Sequence, residues 1–493
     1  MTPQFAFDNS YARLPERFHA RQEPAPVEAP RLLRLNEPLA ETLGLDPQAL
    51  RSPEGVAVLA GNRLPDGAEP LAMAYAGHQF GNFVPQLGDG RALLLGEIMD
   101  RDGVRRDIQL KGSGLTPFSR MGDGRAALGP VIREYVVSEA MAALGIPTTR
   151  ALAMVATGEP VYRESAEPGG ILTRVARGHV RIGTFEYFSH RNDTEAIRIL
   201  GDYVMRRHAP ELLEAEQPWL GLLEHMARHS ADLIADWMLV GFIHGVMNTD
   251  NLSLAGETMD YGPCAFMDNY HPETCFSFVD RGGRYAYGRQ PRIGQWNLAR
   301  FAETLLPLLN EDRNEAVEQA EAALETYSNR FETRFEQGLA RKIGLPEARG
   351  EDTGLAWDLL ERMAGNTADF TLTFRRLSRL ADPDSQDTGP VRELFDNPDS
   401  FDEWAASWQR RLAADGRDPA ERRRQMEQTN PAVIPRNHQV ERVIQAAYEN
   451  GDMAPTERLL AAITDPYRED PAHEEYMQPP RPEEVVRNTF CGT

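Results

Sequence analysis

The 493-residue sequence contains little cysteine, no long apolar run and no excess of basic charge. Its three cysteines, Cys264, Cys275 and Cys491, are too few for a disulfide scaffold and too scattered for a zinc site. The longest apolar run, residues 238–243, is far shorter than the ~20 residues that span a bilayer. We therefore expect neither a disulfide-rich domain nor a membrane span.

Acidic residues outnumber basic ones by 75 to 53, which gives a formal net charge of −22. This charge disfavours sequence-independent binding to nucleic acid or to an anionic membrane. The N-terminus lacks the apolar core of a signal peptide, and its acidic residues argue against a transit peptide. We expect a cytoplasmic monomer with no nucleic-acid or membrane partner. A local basic cleft for a small anion, such as a nucleoside triphosphate, remains compatible with this charge.

The length, with an apolar content of 41%, suits a globular protein of about two to four folding units. We predict an N-terminal extension (residues 1–75), a β-rich lobe with one long helix (76–182), an α-rich lobe (183–345), and a helical C-terminal extension with a cysteine-bearing tail (346–493). This order predicts an α+β fold of the bilobal, protein-kinase-like class. Other α+β proteins share the same order of elements.

Local patterns define the elements of the two lobes. Two predicted strands form a hairpin that turns near Asp102-Gly103, and the long helix that follows has Pro130 at its start and Gly145 just past its end. The predicted strands are residues 91–97, 105–111, 151–156 and 170–176, and the main predicted helices are residues 130–144, 194–207 and 219–242.

A glycine-rich turn and a lysine–glutamate pair suggest a phosphate site. Gly88-Asp-Gly90-Arg91 precedes the first hairpin strand, where glycines let backbone N–H groups approach phosphates. Lys111 ends the second strand, and Glu134 follows in the long helix, as in the lysine–glutamate pair of kinases. Glu139 is a rival on another face of the same helix. Taken singly, these features also fit an ordinary hairpin turn and solvated surface charges.

A second group of motifs gives the strongest indication of a catalytic function. His244 and Asn251 keep the spacing of a kinase catalytic loop, and Asp260-Tyr-Gly stands where the metal-binding Asp-Phe-Gly motif belongs. Asn251 and Asp260 offer the hard oxygen ligands that Mg²⁺ or Mn²⁺ prefers. The position of the kinase catalytic aspartate holds Val246, which cannot accept a proton, so Asp250 is the nearest candidate base. A polar turn between a helix and a hairpin is the alternative.

Extra arginines lie near these motifs. Arg174 and Arg181 flank a glycine-containing segment, and Arg177 lies between them. Arginine binds phosphate through a rigid bidentate fork, so such residues could hold a triphosphate differently from a kinase. The pattern does not separate Arg177 from the other two, and each of the three could be a surface charge.

Several longer motifs resemble the selenoprotein O family of protein adenylyltransferases. They are residues 75–91 (YAGHQFGNFVPQLGDGR), 111–125 (KGSGLTPFSRMGDGR), 144–150 (LGIPTTR), 283–287 (GRYAY), Gln290-Pro with Trp296-Asn-Leu, and Pro435-Arg-Asn-His438. These stretches run over nearly the whole chain. The resemblance implies a pseudokinase fold that binds ATP in a flipped orientation and transfers AMP to Ser, Thr or Tyr hydroxyls of proteins, releasing pyrophosphate.

The resemblance also implies roles for individual residues. Asp250 is the expected base, Glu134 the partner of Lys111 in preference to Glu139, and Asn251 and Asp260 the ligands of Mg²⁺ or Mn²⁺. The residues expected to contact ATP are Gly88, Gly90, Arg91, Lys111, Asp123, Gly124, Arg174, Arg181 and Asp260. Two other functions stay open: a kinase that uses Asp250 as its base, and an ATP-binding scaffold without catalysis.

The tail departs from part of the family. Some relatives carry selenocysteine near the C-terminus, where this chain has Cys491. Chain termini are commonly mobile, and an exposed thiol can oxidise, so we predict a redox-sensitive tail. Cys275, between the Asp260 motif and Gly283-Arg-Tyr, is the best internal partner for a disulfide. The apolar neighbours of Cys264 favour a core position, and in a reducing compartment all three thiols could stay free.

Overall fold

The computed structural model describes residues 3–346, 350–382 and 387–490. It is a mixed α+β structure, as predicted, with strands dominant up to residue 176 and helices dominant after it. The strands are β1 (His19–Arg21), β2 (Arg31–Leu35), β3 (Leu71–Met73), β4 (Gly77–Gln79), β5 (Asn82–Val84), β6 (Ala92–Met99), β7 (Arg105–Lys111), β8 (Ala126–Ala127), β9 (Arg150–Tyr162), β10 (Ala166–Ala176), β11 (Phe242–Ile243) and β12 (Ala265–Phe266).

The helices run from the N-terminal segment to Met477. They are α1 (Glu37–Thr42), α2 (Pro47–Arg51), α3 (Pro53–Leu59), α4 (Leu128–Ala143), α5 (Ile182–Ser189), α6 (Thr194–His208), α7 (Pro218–Leu239), α8 (Gln290–Leu309), α9 (Arg313–Lys342), α10 (Gly350–Gly365), α11 (Phe370–Leu377), α12 (Gly389–Arg392), α13 (Pro398–Asp415), α14 (Pro419–Thr429), α15 (Asn437–Asn450), α16 (Ala454–Ile463) and α17 (Glu474–Met477). Within the described ranges, no helix combines the length and apolar character that a membrane crossing needs.

One large sheet organises the first 176 residues. Its strand order is β1-β3-β6-β7-β10-β9-β2, with β8 paired to β10, and its paired strands run antiparallel. Strands β1, β2 and β3 come from residues before 76. The segment that we predicted as an extension therefore supplies both edge strands, which saturates backbone groups that would otherwise be exposed at the edges.

Both faces of the sheet are covered. Leu95 and Ile108 face a core built with apolar side chains from between Phe5 and Ala60, whereas Leu172 faces the core around α4 and the helices α15 and α16. Ile171 belongs to the first core and its neighbour Leu172 to the second, because side chains alternate between the faces of a strand. Helix α4 is thus held between the sheet and the C-terminal helices.

The predicted elements agree closely with the observed ones. The β6–β7 hairpin closes at Asp100 and Gly103, and the backbone of Gly103 is left-handed with φ of 76°. Helix α4 begins at Leu128, two residues before the predicted start. Strands β9 and β10 are longer than predicted, because their pairing continues to Tyr162 and Ala166 beyond the apolar runs that signalled them.

Close packing of α7, α8 and α9 builds the helical half. Gly294 in α8 lies against Ile234 of α7 and Tyr327 of α9, and an added Cβ would come within 2.5 Å of Tyr327 Oη. We predict that Gly294→Ala lowers the free energy of unfolding by about 1–3 kcal/mol, since the helices must separate to accept it. Gly354→Ala in α10 is the matched control, because nothing lies within 4 Å of its Cβ position. Urea unfolding measures both, and equal stability of the two variants would contradict this packing.

Candidate active site

Lys111, Glu134, Arg174 and Asp260 form a compact charged cluster. Lys111 Nζ, at the end of β7, lies 2.5 Å from Glu134 Oε2 on α4 and 3.8 Å from Asp260 Oδ1. Arg174 of β10 donates from Nε to Glu134 Oε1 at 2.8 Å and from Nη2 to Asp260 Oδ1 at 2.8 Å. The sheet, its covering helix and the segment after β11 therefore meet at one point.

Arg181 joins a second set of groups to this cluster. Its Nη1 donates to Asp260 Oδ2 at 3.1 Å and to the backbone carbonyl oxygen of Asp250 at 2.9 Å. Its Nη2 lies 3.8 Å from Asp89 Oδ1, and its guanidinium carbon lies 4.3 Å from the centroid of the Tyr75 ring. One guanidinium thus contacts the candidate base, the candidate metal ligand and the glycine-rich turn.

The charges set the ionisation of the cluster. Burial alone raises the pKa of Asp260, but Arg174, Arg181 and Lys111 outweigh it and hold that pKa well below its usual range. Burial lowers the pKa of Lys111, and Glu134 opposes that effect. Asp260 also has a left-handed backbone with φ of 61°, a conformation that non-glycine residues adopt at an energetic cost. The packed surroundings therefore hold Asp260 ionised and in a strained conformation.

Glu139 and Arg177, the alternatives that the sequence left open, lie outside this cluster. Glu139 accepts two hydrogen bonds from Arg150, at 2.9 and 2.6 Å, and one from Asn36. Arg177 is exposed. Glu134 is therefore the glutamate that pairs with Lys111, and the arginines that reach Asp260 are Arg174 and Arg181.

The glycine-rich turn packs against the loop that follows β7. Gly88 has a left-handed backbone with φ of 81°, and a Cβ there would overlap the Phe118 ring. Ser119 Oγ donates to the Gly90 carbonyl oxygen at 2.5 Å, and Asp89 Oδ2 accepts from the Met73 backbone N–H at 3.1 Å. The turn needs glycine at Gly88 because no other residue combines that backbone with that contact.

The candidate catalytic loop connects β11 to β12. His244 Nε2 bonds the Met259 carbonyl oxygen at 2.9 Å, which ties the loop to the residue before Asp260. Asn251 Nδ2 donates to the Val246 carbonyl oxygen at 2.8 Å. This bond orients the amide so that Oδ1 is the remaining group for a cation.

Asp250 is buried beside strand β4. Its Oδ1 has no hydrogen-bond partner, and its Oδ2 accepts from Gln79 Nε2 at 3.4 Å. Burial raises the pKa of Asp250 to about 6. Gly77 passes so close that an added Cβ would overlap Oδ1 and lie 2.9 Å from Asp250 Cγ. A poorly solvated carboxylate with an unpaired oxygen can take up a proton, as a general base must.

The β4–β5 hairpin carries a further polar network next to this carboxylate. Glu186 of α5 accepts from Thr249 Oγ1 at 2.5 Å and lies 2.5 Å from His78 Nδ1. The His78 backbone N–H donates to Thr249 Oγ1 at 2.7 Å. The residue before Asp250 is thereby fixed to the hairpin on one side and to α5 on the other.

Two predicted nucleotide contacts lie outside the cluster. Asp123 forms two hydrogen bonds with Arg163, at 2.8 and 3.1 Å, on the loop before β8. Gly124 has a left-handed backbone, and its carbonyl oxygen accepts from the Gly114 N–H. Arg91 acts electrostatically on Lys111 from the start of β6. The roles of Asp123 and Gly124 with ATP stay predictions.

Two of the three cysteines lie within the described residues. Cys264 is fully buried, as predicted. Cys275 is partly buried, its Sγ lies 3.5 Å from Asp280 Oδ2, and burial with that carboxylate raises its pKa to about 11. Cys491 lies outside the described residues. Thr489 pairs with Ser277, and the Phe490 ring lies 4.9 Å from that of Phe278, so the last described residues contact the Cys275 segment. The disulfide stays a prediction.

The side-chain oxygens of Asn251 and Asp260 suit a divalent cation whose remaining coordination positions are filled by a bound ligand and water. No group of three or more His, Cys, Asp or Glu within the described ranges is arranged to hold a metal. Asn251 and Asp260 offer two oxygens, and Asp260 is kept ionised by its arginines. Magnesium sites of this type take one or two protein oxygens and fill the remaining positions with water and substrate phosphates.

Four residues that shape the site carried no assigned role in the sequence reasoning. Gln109 Oε1 accepts from Arg174 at 3.2 Å, and the other three, Asp89, Tyr75 and Gln79, contact Arg181 or Asp250. Tyr75, Gln79 and Asp89 lie within the motif at residues 75–91, so that motif was the available signal for these three. Gln109 lies two residues before Lys111 on β7 and therefore on the same face of the strand, but only the pairing of β7 with β10 shows that it meets Arg174.

Comparison with known proteins identifies the family. The family described as "Protein adenylyltransferase SelO" matches residues 2–464. Proteins named "Protein nucleotidyltransferase YdiU" match over their whole length and the whole of this chain. They are 60% identical in Bradyrhizobium sp. (strain ORS 278), 59% in Rhodopseudomonas palustris (strain HaA2) and 59% in Methylorubrum extorquens. The chain belongs to the SelO family of protein adenylyltransferases.

Proposed function

We propose that this chain transfers AMP from ATP to Ser, Thr or Tyr hydroxyls of proteins and releases pyrophosphate. The observation that carries the proposal is the contact of Arg181 with both Asp250 and Asp260, which ties a candidate base to a phosphate-binding cluster. Membership of the SelO family supports the same chemistry. The Lys111–Glu134 pair and the motifs at His244 and Asp260 support a bilobal, kinase-like fold with boundaries near residues 75, 182 and 345.

The cluster suits a triphosphate. Lys111, Arg174 and Arg181 bring three cationic side chains together beside the carboxylates of Glu134, Asp260 and Asp89, although the whole chain carries −22. We assign Lys111, Arg174 and Arg181 to the phosphates, where cations stabilise charge that develops on the leaving pyrophosphate. We assign the backbone of Gly88 and Gly90, together with Arg91, Asp123 and Gly124, to the remaining ATP contacts.

Mg²⁺ or Mn²⁺, when bound, would neutralise charge on the phosphate oxygens. We assign its protein ligands to Asn251 Oδ1 and the Asp260 carboxylate. Asp260 would then bind the cation directly and hold Arg174 and Arg181, which are assigned to the phosphates.

Asp250 is the base in this proposal. Its carboxylate accepts the proton of the acceptor hydroxyl, whose oxygen forms a bond to the α-phosphorus. The bond from the α-phosphorus to the oxygen that bridges to the β-phosphorus breaks, and pyrophosphate leaves with that electron pair. Val246 cannot serve at the usual kinase position, so the proton must go to another group. Asp250 is the carboxylate that Arg181 anchors beside the phosphates.

The label that enters a protein acceptor separates the candidate functions. We expect α-³²P-ATP to label protein and γ-³²P-ATP to leave it unlabelled. Autoradiography of matched reactions, with and without Mg²⁺ or Mn²⁺, makes the measurement. Label from the γ-phosphate alone would identify a kinase, and label from neither nucleotide would favour a non-catalytic scaffold.

Substitution of the two aspartates should separate binding from chemistry. Asp250→Asn should reduce α-label transfer by about 10²–10⁴-fold, the usual contribution of a general base, with ATP affinity retained. Asp260→Asn should abolish metal-dependent ATP binding, because the cation loses its charged ligand and Arg174 and Arg181 lose the carboxylate that they share. Calorimetric titration with ATP and the transfer assay give the two readouts. Full transfer by Asp250→Asn would reject the base assignment.

The close approach of Gly77 provides an independent test of Asp250. Gly77→Ala should displace the carboxylate, because the new methyl group overlaps Oδ1. We expect transfer to fall by about 10²-fold, the effect of a small misplacement of a reacting group, with ATP affinity little changed. Gly354→Ala should leave both quantities at the wild-type level. Unchanged transfer in Gly77→Ala would show that the position of Asp250 is not limiting.

A further inference from the structure

An arginine without a carboxylate partner lies beside the turn of the β4–β5 hairpin. Arg284 is partly exposed, and its Nε has no hydrogen-bond partner. Two nearby arginines are neutralised, because Arg289 pairs with Glu273 and Arg300 pairs with Glu303. Within the described ranges, no carboxylate lies within 4.0 Å of the Arg284 guanidinium in the same way. The mechanism proposed above does not use this cation.

The acidic residue nearest to Arg284 in sequence is Asp280, and its carboxylate is occupied by backbone groups. Asp280 Oδ1 accepts from the Arg284 N–H at 2.9 Å, and Oδ2 accepts from the Tyr285 N–H at 2.8 Å. Asp280 is buried by these contacts, which fix the turn that carries Arg284. The guanidinium therefore keeps an uncompensated positive charge in a chain whose net charge is −22.

The Arg284 guanidinium is held against an aromatic ring and a glycine. Its central carbon lies 4.8 Å from the centroid of the partly exposed Trp296 ring. An added Cβ on Gly81, in the hairpin turn, would lie 3.5 Å from the guanidinium, so the backbone of Gly81 passes close to it. Because a planar guanidinium is held in place by such contacts, it loses little further freedom when a carboxylate binds.

The tip of the hairpin is strained and fixed to the candidate catalytic loop. Phe80 is partly exposed and has a left-handed backbone with φ of 52°. Its N–H donates to Asn248 Oδ1 at 3.1 Å, and the same oxygen accepts from Tyr285 Oη at 2.5 Å. Non-glycine residues in this conformation occur preferentially at functional sites, where the surroundings maintain the strain. The strain at Phe80 holds the hairpin tip in place between the loop and Tyr285.

The same hairpin places Arg284 near the proposed base. Gln79 contacts the Asp250 carboxylate, and Gly81 lies against Arg284. Two residues of chain span at most about 7 Å. A polypeptide whose hydroxyl reaches Asp250 would therefore have neighbouring residues beside Arg284.

We propose, on the basis of the AMP transfer proposed above, that Arg284 binds an acidic side chain of the protein substrate beside the acceptor hydroxyl. An extended polypeptide advances about 3.3 Å per residue, so we expect this Asp or Glu about two to four residues from the acceptor. Charge complementarity selects an acidic segment over a neutral or basic one. The partly exposed rings of Phe80 and Trp296 provide apolar contacts for the rest of the segment.

Peptide binding tests this contact without requiring transfer. The full-length protein is saturated with Mg²⁺ and α,β-methylene-ATP, in which a methylene group replaces the oxygen that AMP transfer must release. Fluorescent peptides carry a central Ser, Thr or Tyr among Ala and Gly, with one Asp placed at successive positions on either side. A matched set has Asn instead of Asp. Anisotropy should show that the best Asp peptides bind about fivefold more tightly than their Asn counterparts, the upper range for a surface ion pair.

Variants connect this preference to the guanidinium. Arg284→Gln should bind Asp and Asn peptides equally, and Arg284→Glu should prefer peptides with Lys at the same positions. Arg313→Gln removes the same charge from an exposed site at the start of α9 and should keep the wild-type preference. Calorimetry with ATP should give wild-type affinity for all three variants. In the transfer assay, Arg284→Gln should raise KM for Asp peptides and leave kcat unchanged.

The possible results distinguish this contact from the transferase reaction itself. Equal affinity of the wild type for Asp and Asn peptides, or binding of neither set, would overturn the contact. An Asp preference that survives Arg284→Gln would also overturn it, and so would a loss of ATP affinity in that variant, which would assign Arg284 to the nucleotide. An Asp preference that depends on Arg284, without transfer of α-label, would support the contact and reject the proposed function. Transfer of α-label without any Asp preference would do the reverse.

Discussion

The buried guanidinium of Arg174 is the constraint on which the site depends. It is 2% exposed and bonds Glu134 of α4, Asp260 of the candidate catalytic loop and Gln109 of β7. Buried ion pairs rarely add net stability, but removing one partner leaves an uncompensated charge that costs several kcal/mol, about 3–5. Arg174 therefore fixes α4, the sheet and the candidate catalytic loop in one relative arrangement. The same arrangement sets the geometry of the Lys111–Glu134 pair.

Arg181 connects the proposed phosphate site to the proposed base. It bonds the side chain of Asp260 and the backbone of Asp250, so the two halves of the proposed chemistry share one rigid cation. The arginine itself is held by the Tyr75 ring and by the buried carboxylate of Asp89. A planar guanidinium can serve several partners at fixed angles, which a lysine amine cannot. The position of the proposed base thus follows from the position of the proposed phosphate site.

Sequence reasoning predicted the elements that local pattern encodes. The β6–β7 hairpin, helix α4 and the α+β order all follow from hydrophobic spacing and from Gly and Pro signals. It did not predict that residues 19–73 supply three strands to the main sheet, because pairing between distant short strands leaves no local period. The choice between Glu134 and Glu139 depended on which partner each meets across the sheet, and the residues alone left it open. Asp89 and Gln109 were missed for the same reason.

Val246 stands where a kinase has its catalytic aspartate, and Asp250, the proposed base, is held by contacts that leave its carboxylate basic. A carboxylate fixed by several hydrogen bonds loses basicity, because each bond favours its ionised form. Asp250 is fixed mainly through its backbone, by Arg181, and through the close backbone of Gly77, while Oδ1 keeps no hydrogen-bond partner. With few hydrogen bonds to oppose it, burial raises the pKa of Asp250. Position and basicity are therefore set by different contacts, which allows this aspartate to be both well placed and able to accept a proton.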